Sequence, residues 1–561
     1  MRTFKKPLTS VLVLSLSAHL GQALAQSAPP PPPAPPGNPI TVNKTLLGKA
    51  LFWDEQLSAS GTTACGTCHI PTAGGSDPRS VFGAGTTNPG PDGIFGNDDD
   101  IVASPGVPLA EADGLYSFSA QFGFRPQVTG RKAPTMVNAA YSPLFQFWDG
   151  RAEEVFMDPI TGVPLLNTRA ALESQVAGPP VSDVEMGHIG SDWPGIVARI
   201  QAATPLGLAS DLPAPLANFV NGRTYPQLFN DAFGSNEVTA ARICMAVATY
   251  ERTLIGATAP FDDFIGNAPP GAPPQNPNAL TNQERQGFQI FTGQGRCIVC
   301  HNGPVQSDND FHYTGVRPRF EDLGRFEVDG LNANRGAMKT PTLRNVELRG
   351  PFFHNGRFAT LEDVVDFYDR GGDFDAPNKA PAVAPIGLNP QQKAALVAFL
   401  KRPLTDTRVR DGLAPFDRPT LYAESARVPS FYGGGTPGTD GHVPNAYAIE
   451  PPLVGGDEMT VAIDNGFGGR MAIFCLTSGQ DFAGTPITGT TFHVDLLSNV
   501  SLRRIPSLDG VGPGNGHGSV TVPVPTSSAA IGTSLYGQWF VLDNGSGARF
   551  AASEAVQFDW F

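Results

Sequence analysis

The chain is short of histidine, of long apolar runs and of positive charge. Only 9 of its 561 residues are histidine, and none of them lies between residues 70 and 187. After an apolar stretch near the N-terminus, no run approaches the ~18 apolar residues that a membrane span needs. Lys and Arg number 38 against 52 Asp and Glu, for a net charge of −14. We therefore expect a mature protein without a membrane span and without a nucleic-acid partner.

The N-terminus has the pattern of an export signal. Basic residues precede the apolar run VLVLSLSA and the small-residue sequence ALA, which ends at Ala25. This pattern predicts a signal peptide over residues 1–25, cleaved near Ala25, and a periplasmic or otherwise exported protein. Residues 26–40 are rich in proline and predict an extended linker. The acidic balance of the exported chain favours a small cationic partner, such as a soluble cytochrome, although negative charge also serves solubility alone.

The six cysteines form an uneven pattern. Two copies of Cys-x-x-Cys-His account for four of them: Cys65, Cys68 and His69, followed by Cys297, Cys300 and His301. Covalent haem attachment needs two thiols for the two vinyl groups and an adjacent imidazole for the iron, and this pentad supplies both. A zinc site would pair such units at separations of about 15–20 residues, and a redox dithiol would not need the histidine. The pattern predicts two covalently bound haem c groups, with Cys244 and Cys475 as buried, unpaired thiols.

One order of elements occurs twice around these pentads. TVNKTLLGKALFWDEQLSASG predicts a helix and a turn before the first pentad. LTNQERQGFQIF predicts a helix before the second, and Thr281 and Glu284 form the capping-box pattern at its start. A Pro-rich stretch separates the two halves. We therefore expect a mainly α fold with two cytochrome c-like haem domains, at residues 41–268 and 279–405.

The composition changes after the second haem domain. Residues 406–452 are rich in Gly and Pro and predict a linker. The last part, 453–561, contains the segments MTVAID, MAIFCLTS, TFHVDL, SVTVPVP and GQWFVLD, separated by turn residues. We expect a small all-β, sandwich-like C-terminal domain. Its three histidines are scattered, so the pattern indicates a packing or attachment module rather than a catalytic one.

Several longer motifs occur in one order between residues 41 and 405. They are LGKALFWDEQLSASGTTACGTCH, GRKAPTMVNAAYSPLFQFWDGRAEE, LESQVAGPPVSDVEMG, CIVCHNGP and MKTPTLRNVELRGPFFHNGRFATLEDVVDFYDRGG. In these motifs the chain resembles the bacterial di-haem cytochrome c peroxidase and MauG family. The resemblance implies that the N-terminal haem binds peroxide, that the C-terminal haem relays electrons, and that Trp148 lies between them. An ordinary buried aromatic is the alternative for Trp148.

The resemblance also implies a peroxide pocket that contains Gln175, Pro179 and Glu185. Cleavage of a bound peroxide needs a group that moves a proton from the inner oxygen to the outer one, so that water leaves. Glu185 is the candidate for this acid/base role, while Gln175 would orient the peroxide and Pro179 would shape the pocket. Without the resemblance, Glu185 reads as a solvated surface carboxylate.

One departure from the family concerns the loop from 70 to 130. Many family peroxidases carry a histidine there that ligates the peroxidatic iron in the resting enzyme, and this loop has none. The missing histidine predicts a coordination position that is open to peroxide without prior reduction. The loop carries instead the sequence GPDGIFGNDDDI, whose Asp92, Asp98, Asp99 and Asp100 are candidate Ca²⁺ ligands. An acidic turn without metal is the equal alternative.

A second departure concerns the haem at His301. Typical family peroxidases place a methionine on its other face, and the matching position here is Tyr368, as in MauG. A phenolate favours higher oxidation states of the iron, whereas a thioether raises its potential, and Met338 is the fallback ligand. His354 matches a family histidine near this haem, although a structural histidine is equally plausible. The family's interdomain Ca²⁺ site uses an asparagine where this chain has Lys132, whose ammonium group could replace the metal.

The leading prediction is an exported peroxidase that reduces H₂O₂ to water with electrons from a small redox protein, such as a cytochrome c or a cupredoxin. A MauG-like oxidase, which withdraws electrons from a protein or a small organic substrate, is the alternative that Tyr368 and the missing loop histidine favour. A non-enzymatic di-haem electron carrier would need both irons to be six-coordinate. Localisation through the C-terminal module is a further alternative, and the sequence leaves oligomerisation open.

Overall fold

The computed structural model describes residues 32–83, 85–266, 273–545 and 547–561. The predicted signal peptide and the first part of the predicted linker, up to residue 31, lie outside this part of the chain. Within the described ranges, no helix is both long and apolar enough to cross a bilayer. Most of the regular secondary structure among the described residues up to 410 is helical, and a sheet region follows.

Short helices provide most of the regular structure before residue 411. Their bounds are α1 (Val42–Phe52), α2 (Cys65–Cys68), α3 (Ala171–Val176), α4 (Trp193–Ala202), α5 (Ala214–Val220), α6 (Tyr225–Phe233), α7 (Ala240–Glu251), α8 (Pro260–Ile265), α9 (Asn282–Thr292), α10 (Phe326–Asp329), α11 (Leu361–Asp369), α12 (Pro390–Leu400) and α13 (Thr407–Arg410). The predicted capping box at the start of α9 is confirmed. Thr281 Oγ1 accepts a hydrogen bond from the backbone N–H of Glu284, and Glu284 Oε2 accepts one from the backbone N–H of Thr281.

One helix crossing occurs twice. α1 packs across α7, and α9 packs across α12. A Cβ atom at Gly48 would lie 1.9 Å from the carbonyl oxygen of Ala246, and one at Gly287 would lie 2.0 Å from the carbonyl oxygen of Ala395. Only glycine lets two helix backbones approach this closely. The matched glycines indicate that the two helical halves repeat one packing arrangement, each just before its Cys-x-x-Cys-His turn.

The first helical half has a core that includes Leu51, Tyr225 and Ile243. Part of the predicted linker at 26–40 belongs to this half as well. Asn38 is fully buried and donates a hydrogen bond from Nδ2 to Glu173 Oε1 at 2.7 Å. The end of the Pro-rich segment is therefore anchored rather than free, because a buried carboxylate needs the donor that Asn38 supplies.

The second helical half has a separate core, which includes Phe291 and Phe399. The predicted linker at 406–452, which follows the second half in the chain, packs against the first half. Phe416 is fully buried in the core of the first half, and the backbone N–H of Tyr422 donates to Glu55 Oε2 at 2.6 Å. Apolar burial and this buried carboxylate hold the segment, which composition alone does not reveal.

Short strand pairs hold loops within the helical part. Their bounds are β1 (Thr87–Asn88), β2 (Ile101–Val102), β3 (Phe145–Gln146), β4 (Ala152–Glu153), β5 (Phe156–Met157), β6 (Pro164–Leu166), β7 (Phe311–His312) and β8 (Met338–Lys339). β3 pairs with β4, so that Trp148 lies in the connecting loop. β7 pairs with β8, which sets His312 opposite Met338.

The C-terminal part consists of two antiparallel sheets around one core. Its strands are β9 (Ser430–Tyr432), β10 (Asn445–Tyr447), β11 (Met459–Gly468), β12 (Ala472–Thr477), β13 (Gln480–Ile487), β14 (Thr490–Val494), β15 (Val500–Ile505), β16 (Gly512–Val522), β17 (Ser534–Leu542) and β18 (Phe550–Asp559). One sheet has the order β10-β11-β16, the other β15-β12-β17-β18-β9, and β13 and β14 form a hairpin. Ile463 and Trp539, from different sheets, share the core. The five segments predicted as strands overlap β11, β12, β14, β16 and β17.

The C-terminal sheets dock on a loop of the first helical half. This docking loop, residues 105–128, is closed at its base by a bridge between Pro105 and Val128. Phe124 packs against Ala462 of β11. At the tip, Phe118 stacks on His517 with the ring centroids 4.0 Å apart. The C-terminal part is therefore joined to the first half by side-chain packing as well as by the chain.

Candidate haem sites

The first Cys-x-x-Cys-His turn borders a cavity of about 570 Å³. The wall of the cavity includes the whole set that the sequence and the family resemblance assign to this site: Cys65, Cys68, His69, Trp148, Gln175, Pro179 and Glu185. The volume lies within the range of about 300–1,000 Å³ that is typical of ligand and cofactor sites. The fold thus gathers these residues from α2, α3 and two loops around one space.

Both pentad histidines are held in the orientation that suits iron ligation. His69 Nδ1 lies 3.2 Å from the carbonyl oxygen of Gly75, and His301 Nδ1 lies 3.0 Å from that of Gln306. A ring that donates from Nδ1 presents Nε2 as the free ligand atom. Burial lowers the pKa of both imidazoles, which favours the neutral form that binds metal. The two sites therefore fit c-type haem.

The cysteines are all free thiols. Burial raises the pKa of Cys68 and of Cys297 to about 12 and shifts the pKa of Cys65 in the same direction. The pentad sulfurs are thus unpaired, as thioether formation with vinyl groups requires. Cys244 and Cys475 are buried and unpaired, which confirms the prediction for them.

Two of the carboxyl groups that border the first cavity, Glu185 and Glu251, have a raised pKa. Glu185 is half-buried, its backbone N–H donates to Ser182 Oγ, and its carboxyl has no hydrogen-bond partner within the described ranges. Burial raises the pKa of Glu185, and Arg151 partly opposes the rise. Glu251, at the end of α7, is 5% exposed, and its Oε2 lacks a partner in the part of the chain described. Burial raises the pKa of Glu251 to about 8.

Sequence reasoning missed Glu251. The signal was present, because an acid that ends the otherwise apolar helix AARICMAVATYE cannot easily reach water on that face. Without a structure, however, the same residue reads as an ordinary helix-terminal charge. The first cavity therefore has a second acid with a raised pKa, which neither the pattern nor the resemblance assigned.

The histidine-free loop forms another part of this wall. Ser104 and Thr129 of the loop border the cavity. Met136 and Met186, which do not belong to the loop, border it as well. Among the described residues on the wall, His69 is the only imidazole. The coordination position open to peroxide remains a prediction, and the described lining agrees with it.

A Ca²⁺ site and an acidic turn without metal are the two equal expectations for the acidic loop. Asp92, Asp99 and Asp100 each accept a hydrogen bond from a backbone N–H of the loop at 2.8–3.3 Å, while Asp98 is exposed. Within the described ranges, these carboxylates do not form a group of three converging ligand atoms. They stabilise the turns of the loop instead, and calcium stays a prediction.

The second Cys-x-x-Cys-His turn borders its own cavity. Its wall includes both predicted distal ligands and the pentad: Cys297, Cys300, His301, Met338 and Tyr368. Burial raises the pKa of Tyr368, and the nearby Cys300 and Cys297 add to the rise. The phenol therefore holds its proton at neutral pH until a metal replaces it. The geometry admits either the phenol or the thioether as the ligand opposite His301.

Three potential metal ligands form a cluster beside the second turn, next to the haem site. Ligand atoms of Cys300, Asp308 and His312 lie within 4.8 Å of one another. The hydrogen bond from His312 Nε2 to Asp308 Oδ2, 2.9 Å long, raises the pKa of His312 to about 10. A protonated imidazole cannot ligate a metal. The cluster is therefore an ion pair beside the thioether position of Cys300.

Trp148 borders both cavities. Its Nε1 donates to the carbonyl oxygen of Lys132 at 2.8 Å, and its own carbonyl oxygen accepts from the backbone N–H of Lys339 at 2.7 Å. The indole meets the ring of His354 edge-on, with the centroids 6.2 Å apart. Burial lowers the pKa of His354 to about 4, and Asp322 opposes this. The indole thus lies between the cavities, and its role in electron transfer remains a prediction.

Lys132 is almost fully buried at the same boundary. Its Nζ donates to Ser76 Oγ at 2.6 Å and to the carbonyl oxygen of Arg349 at 3.1 Å. Burial, together with the charge of Arg349, lowers the pKa of Lys132 to about 7. These contacts are compatible with an ammonium group in place of a metal ion, which also stays a prediction.

A family model for di-haem cytochrome c peroxidase matches residues 42–269. The methylamine utilization protein MauG of Methylorubrum extorquens is 31% identical over 371 residues, which cover 65% of this chain and 80% of that protein. The cytochrome c551 peroxidase of Nitrosomonas europaea is 30% identical over 372 residues, with coverages of 65% and 85%. A solved MauG-like protein associated with microbial copper homeostasis is 24% identical, with a TM-score of 0.49 and coverages of 70% and 97%. The chain belongs to the di-haem cytochrome c peroxidase family and is a haem peroxidase oxidoreductase.

Proposed function

We propose that this protein, exported to the periplasm, reduces H₂O₂ to water in the cavity beside His69. The electrons come from a small redox protein and pass through the second haem site and Trp148. The observation that carries the proposal is an asymmetry between the cavities. Gln175 and Glu185 border only the first, whereas Trp148 borders both. Relatives named as cytochrome c peroxidases support the same direction of electron flow.

The residues that would hold two haem c groups are matched in the two halves. Each pentad offers two thiols for thioethers and one Nε2 for iron, and basic side chains around each cavity suit the carboxylates of a haem. When bound, a c-type haem supplies an iron that exchanges electrons with peroxide. The candidate carboxylate partners are Arg131 and Arg151 at the first cavity, with Arg296, Arg317 and Arg319 at the second.

Glu185 provides the proton transfer that O–O bond cleavage requires. Its carboxylate accepts a proton from one peroxide oxygen and returns it to the other, which leaves as water. Because burial raises the pKa of Glu185, the acid and the carboxylate are closer in energy near neutral pH than in water. Gln175 orients the peroxide through its amide, and Pro179 limits the entry of water. Glu251 is a second group in the same cavity that can hold a proton.

A MauG-like oxidase is the second candidate function. Tyr368 borders the second cavity and lies near both of its thiols, as a phenolate ligand would require. Such a ligand would favour storage of oxidising equivalents over rapid relay of electrons. The relative of Methylorubrum extorquens named MauG supports this alternative. In this case the electrons would come from a protein or a small organic substrate.

The acid/base role is tested by mixing oxidised protein with one equivalent of H₂O₂ in a stopped-flow spectrometer. The variants are Glu185→Gln and, as a matched control, Glu237→Gln, whose side chain is 68% exposed in the same helical half. We expect Glu185→Gln to lower the rate by about 10²–10⁴-fold and the control to leave it unchanged. Equal rates in the two variants would contradict the role of Glu185.

The choice of electron donor separates the candidate functions. Rapid peroxide-dependent oxidation of a reduced cytochrome c or cupredoxin supports the peroxidase. A long-lived oxidised state in the absence of a donor supports the oxidase. Two low-spin haem spectra and no reaction with peroxide would instead indicate an electron carrier. N-terminal sequencing of exported protein tests cleavage near Ala25.

A further inference from the structure

A third cavity, of about 110 Å³, lies beside Trp148 and shares wall residues with both haem cavities. It is too small for a porphyrin ring, since a single water occupies about 30 Å³ of liquid volume. Its wall includes Lys132, Lys339 and Arg349, together with the neutral side chains of Asn138 and Asn309. This middle cavity therefore has room for a carboxylate group or a small inorganic ion, surrounded by polar atoms.

The charges around the middle cavity are all positive. Its wall contains three basic side chains and no acidic one, and within the described ranges none of the three has a carboxylate oxygen within 4.0 Å. Lys132 and Arg349 are 4% and 9% exposed, and Lys339 is half-buried. Burial lowers the pKa of Arg349 to about 10. Buried cations without a counter-ion are strongly unfavourable.

Some hydrogen-bond donors at the middle cavity also lack an acceptor. Arg349 Nε is buried and has no hydrogen-bond partner among the described residues. Lys132 Nζ donates only to neutral oxygens, those of Ser76 and Arg349. Lys339 Nζ has no hydrogen bond within the described ranges. A single anion could satisfy these donors and neutralise part of the charge.

We propose that the middle cavity binds an oxyanion or halide through Lys132, Lys339 and Arg349. The anion has two chemical sources: a carboxylate of one of the haems, which rests on the proposed function, or a free inorganic anion, which does not. In either case it stabilises both backbone contacts of Trp148, because Lys132 and Lys339 provide them. The site thus holds the residue between the two haem cavities.

Crystals of the haem-loaded protein grown in sodium bromide identify the occupant. Anomalous density for bromine next to Arg349 Nε would show that the occupant is a free anion. A haem carboxylate at hydrogen-bond distance from the same atom would show that the occupant belongs to a haem. Either result supports the site. Water alone, with no anion, overturns it.

Thermal unfolding of Lys339→Met gives an independent test that does not use activity. Lys393→Met is the control, because Lys393 pairs with Asp366 and Asp369 near the surface. If an anion is bound, Lys339→Met lowers the unfolding temperature more than the control does. If no anion is bound, removal of an uncompensated cation leaves the temperature unchanged or raises it, and the proposal is wrong. Inactivity towards peroxide with normal anion binding would count against the proposed function alone.

A second inference rests on the docking loop, independently of the middle cavity. Near its base, the backbone N–H of Val107 donates to the carbonyl oxygen of Val184 at 3.1 Å, and Gln127 Nε2 donates to that of Asp183 at 2.8 Å. A Cβ atom at Gly106 would lie 2.0 Å from the same Val184 oxygen. The base of the loop is therefore in close contact with the residues that immediately precede Glu185.

The opposite end of the docking loop is held by the C-terminal sheet. Ser519 Oγ donates to the carbonyl oxygen of Tyr116 at 2.9 Å, and Thr460 Oγ1 donates to that of Gly114 at 2.7 Å. We infer that the C-terminal domain positions Glu185 through this loop, an inference that rests on the proposed function. Phe124, which packs against Ala462, is a positioning residue in this arrangement.

Phe124→Ala tests the inference, with Phe492→Ala as a control, because Phe492 stacks on Phe540 within the C-terminal domain. We expect Phe124→Ala to slow the reaction with peroxide by about tenfold to a hundredfold and to shift its pH profile, since small misplacements of a catalytic group have effects of this size. The spectrum of the second haem should not change. An unaltered rate and pH profile overturn the inference. If Glu185→Gln is also without effect, the proposed function itself has failed.

Discussion

Replacement of Glu251 by Gln should remove a large pH dependence from the stability of the protein. Glu251 is 5% exposed, and its Oε2 has no partner within the described ranges. Burial raises its pKa from the ordinary 4.5 to about 8; Arg252 opposes the rise and Glu173 adds to it. Gln has nearly the same shape but no titratable proton. The substitution therefore isolates the effect of the charge.

The direction of the pH effect on the free energy of unfolding depends on which state, folded or unfolded, binds the Glu251 proton more tightly. Between pH 4.5 and about 8 the folded protein keeps the Glu251 proton that the unfolded chain releases, so the free energy of unfolding falls as the pH rises. The loss is complete above about pH 8. The pKa difference is 8 minus 4.5, or 3.5, and at about 1.36 kcal/mol per unit it corresponds to about 5 kcal/mol. Below pH 4.5 the group is neutral in both states and contributes nothing.

Denaturant unfolding followed by circular dichroism at pH 5 and pH 9 measures this effect. Glu251→Gln and the wild type should have similar free energies of unfolding at pH 5. At pH 9 the variant should be more stable by up to about 5 kcal/mol. Glu237→Gln, an exposed acid of the same half, should follow the wild type at both values. Parallel pH dependences of Glu251→Gln and wild type would refute the reasoning.

Three further predictions concern the second haem, the helix crossing and Trp148. Tyr368→Phe should change the spectrum of the low-spin haem while Met338→Leu does not; the reverse result assigns the ligand to Met338. Gly48→Ala should lower the free energy of unfolding by at least about 1–3 kcal/mol in denaturant titrations, because its Cβ overlaps a backbone carbonyl, whereas Gly434→Ala, with open space around it, should not. Trp148→Phe should slow peroxide turnover with a reduced donor protein but not the first reaction of peroxide with oxidised protein; unchanged turnover excludes Trp148 as the electron path.

The haem-attachment turns could be predicted because their chemistry is local in the chain. Cys65, Cys68 and His69 lie within one turn, so spacing alone determines which atoms can reach a haem. The capping box at Thr281 is local in the same sense. The proximity of Glu185 and Cys65 at the first cavity is different, because it depends on the folding of more than a hundred intervening residues. Only the family resemblance indicated it beforehand.

Contacts across the fold account for what the sequence pattern missed. β18, FAASEAVQFD, has the alanines and glutamate of a helix, yet pairing with β17 and burial outweigh that propensity. β13 and β15 are largely exposed and lack a buried apolar face. Lys339 and Arg349 look like surface cations in the sequence, because no local pattern shows that they border a cavity. Their importance depends on residues far away in the chain.

The charges of the three cavities indicate a division of tasks. A proton moves only over hydrogen-bond distances, so the proton-dependent step must occur where a carboxyl with a raised pKa borders the reaction space. Glu185 and Glu251 meet this condition in the first cavity. The middle cavity is bordered by basic side chains and by no carboxyl group, which suits the holding of an anion and of Trp148. A change at Lys339 should therefore alter transfer between the haem sites and leave the proton step at Glu185 intact, whereas a change at Glu185 should do the opposite.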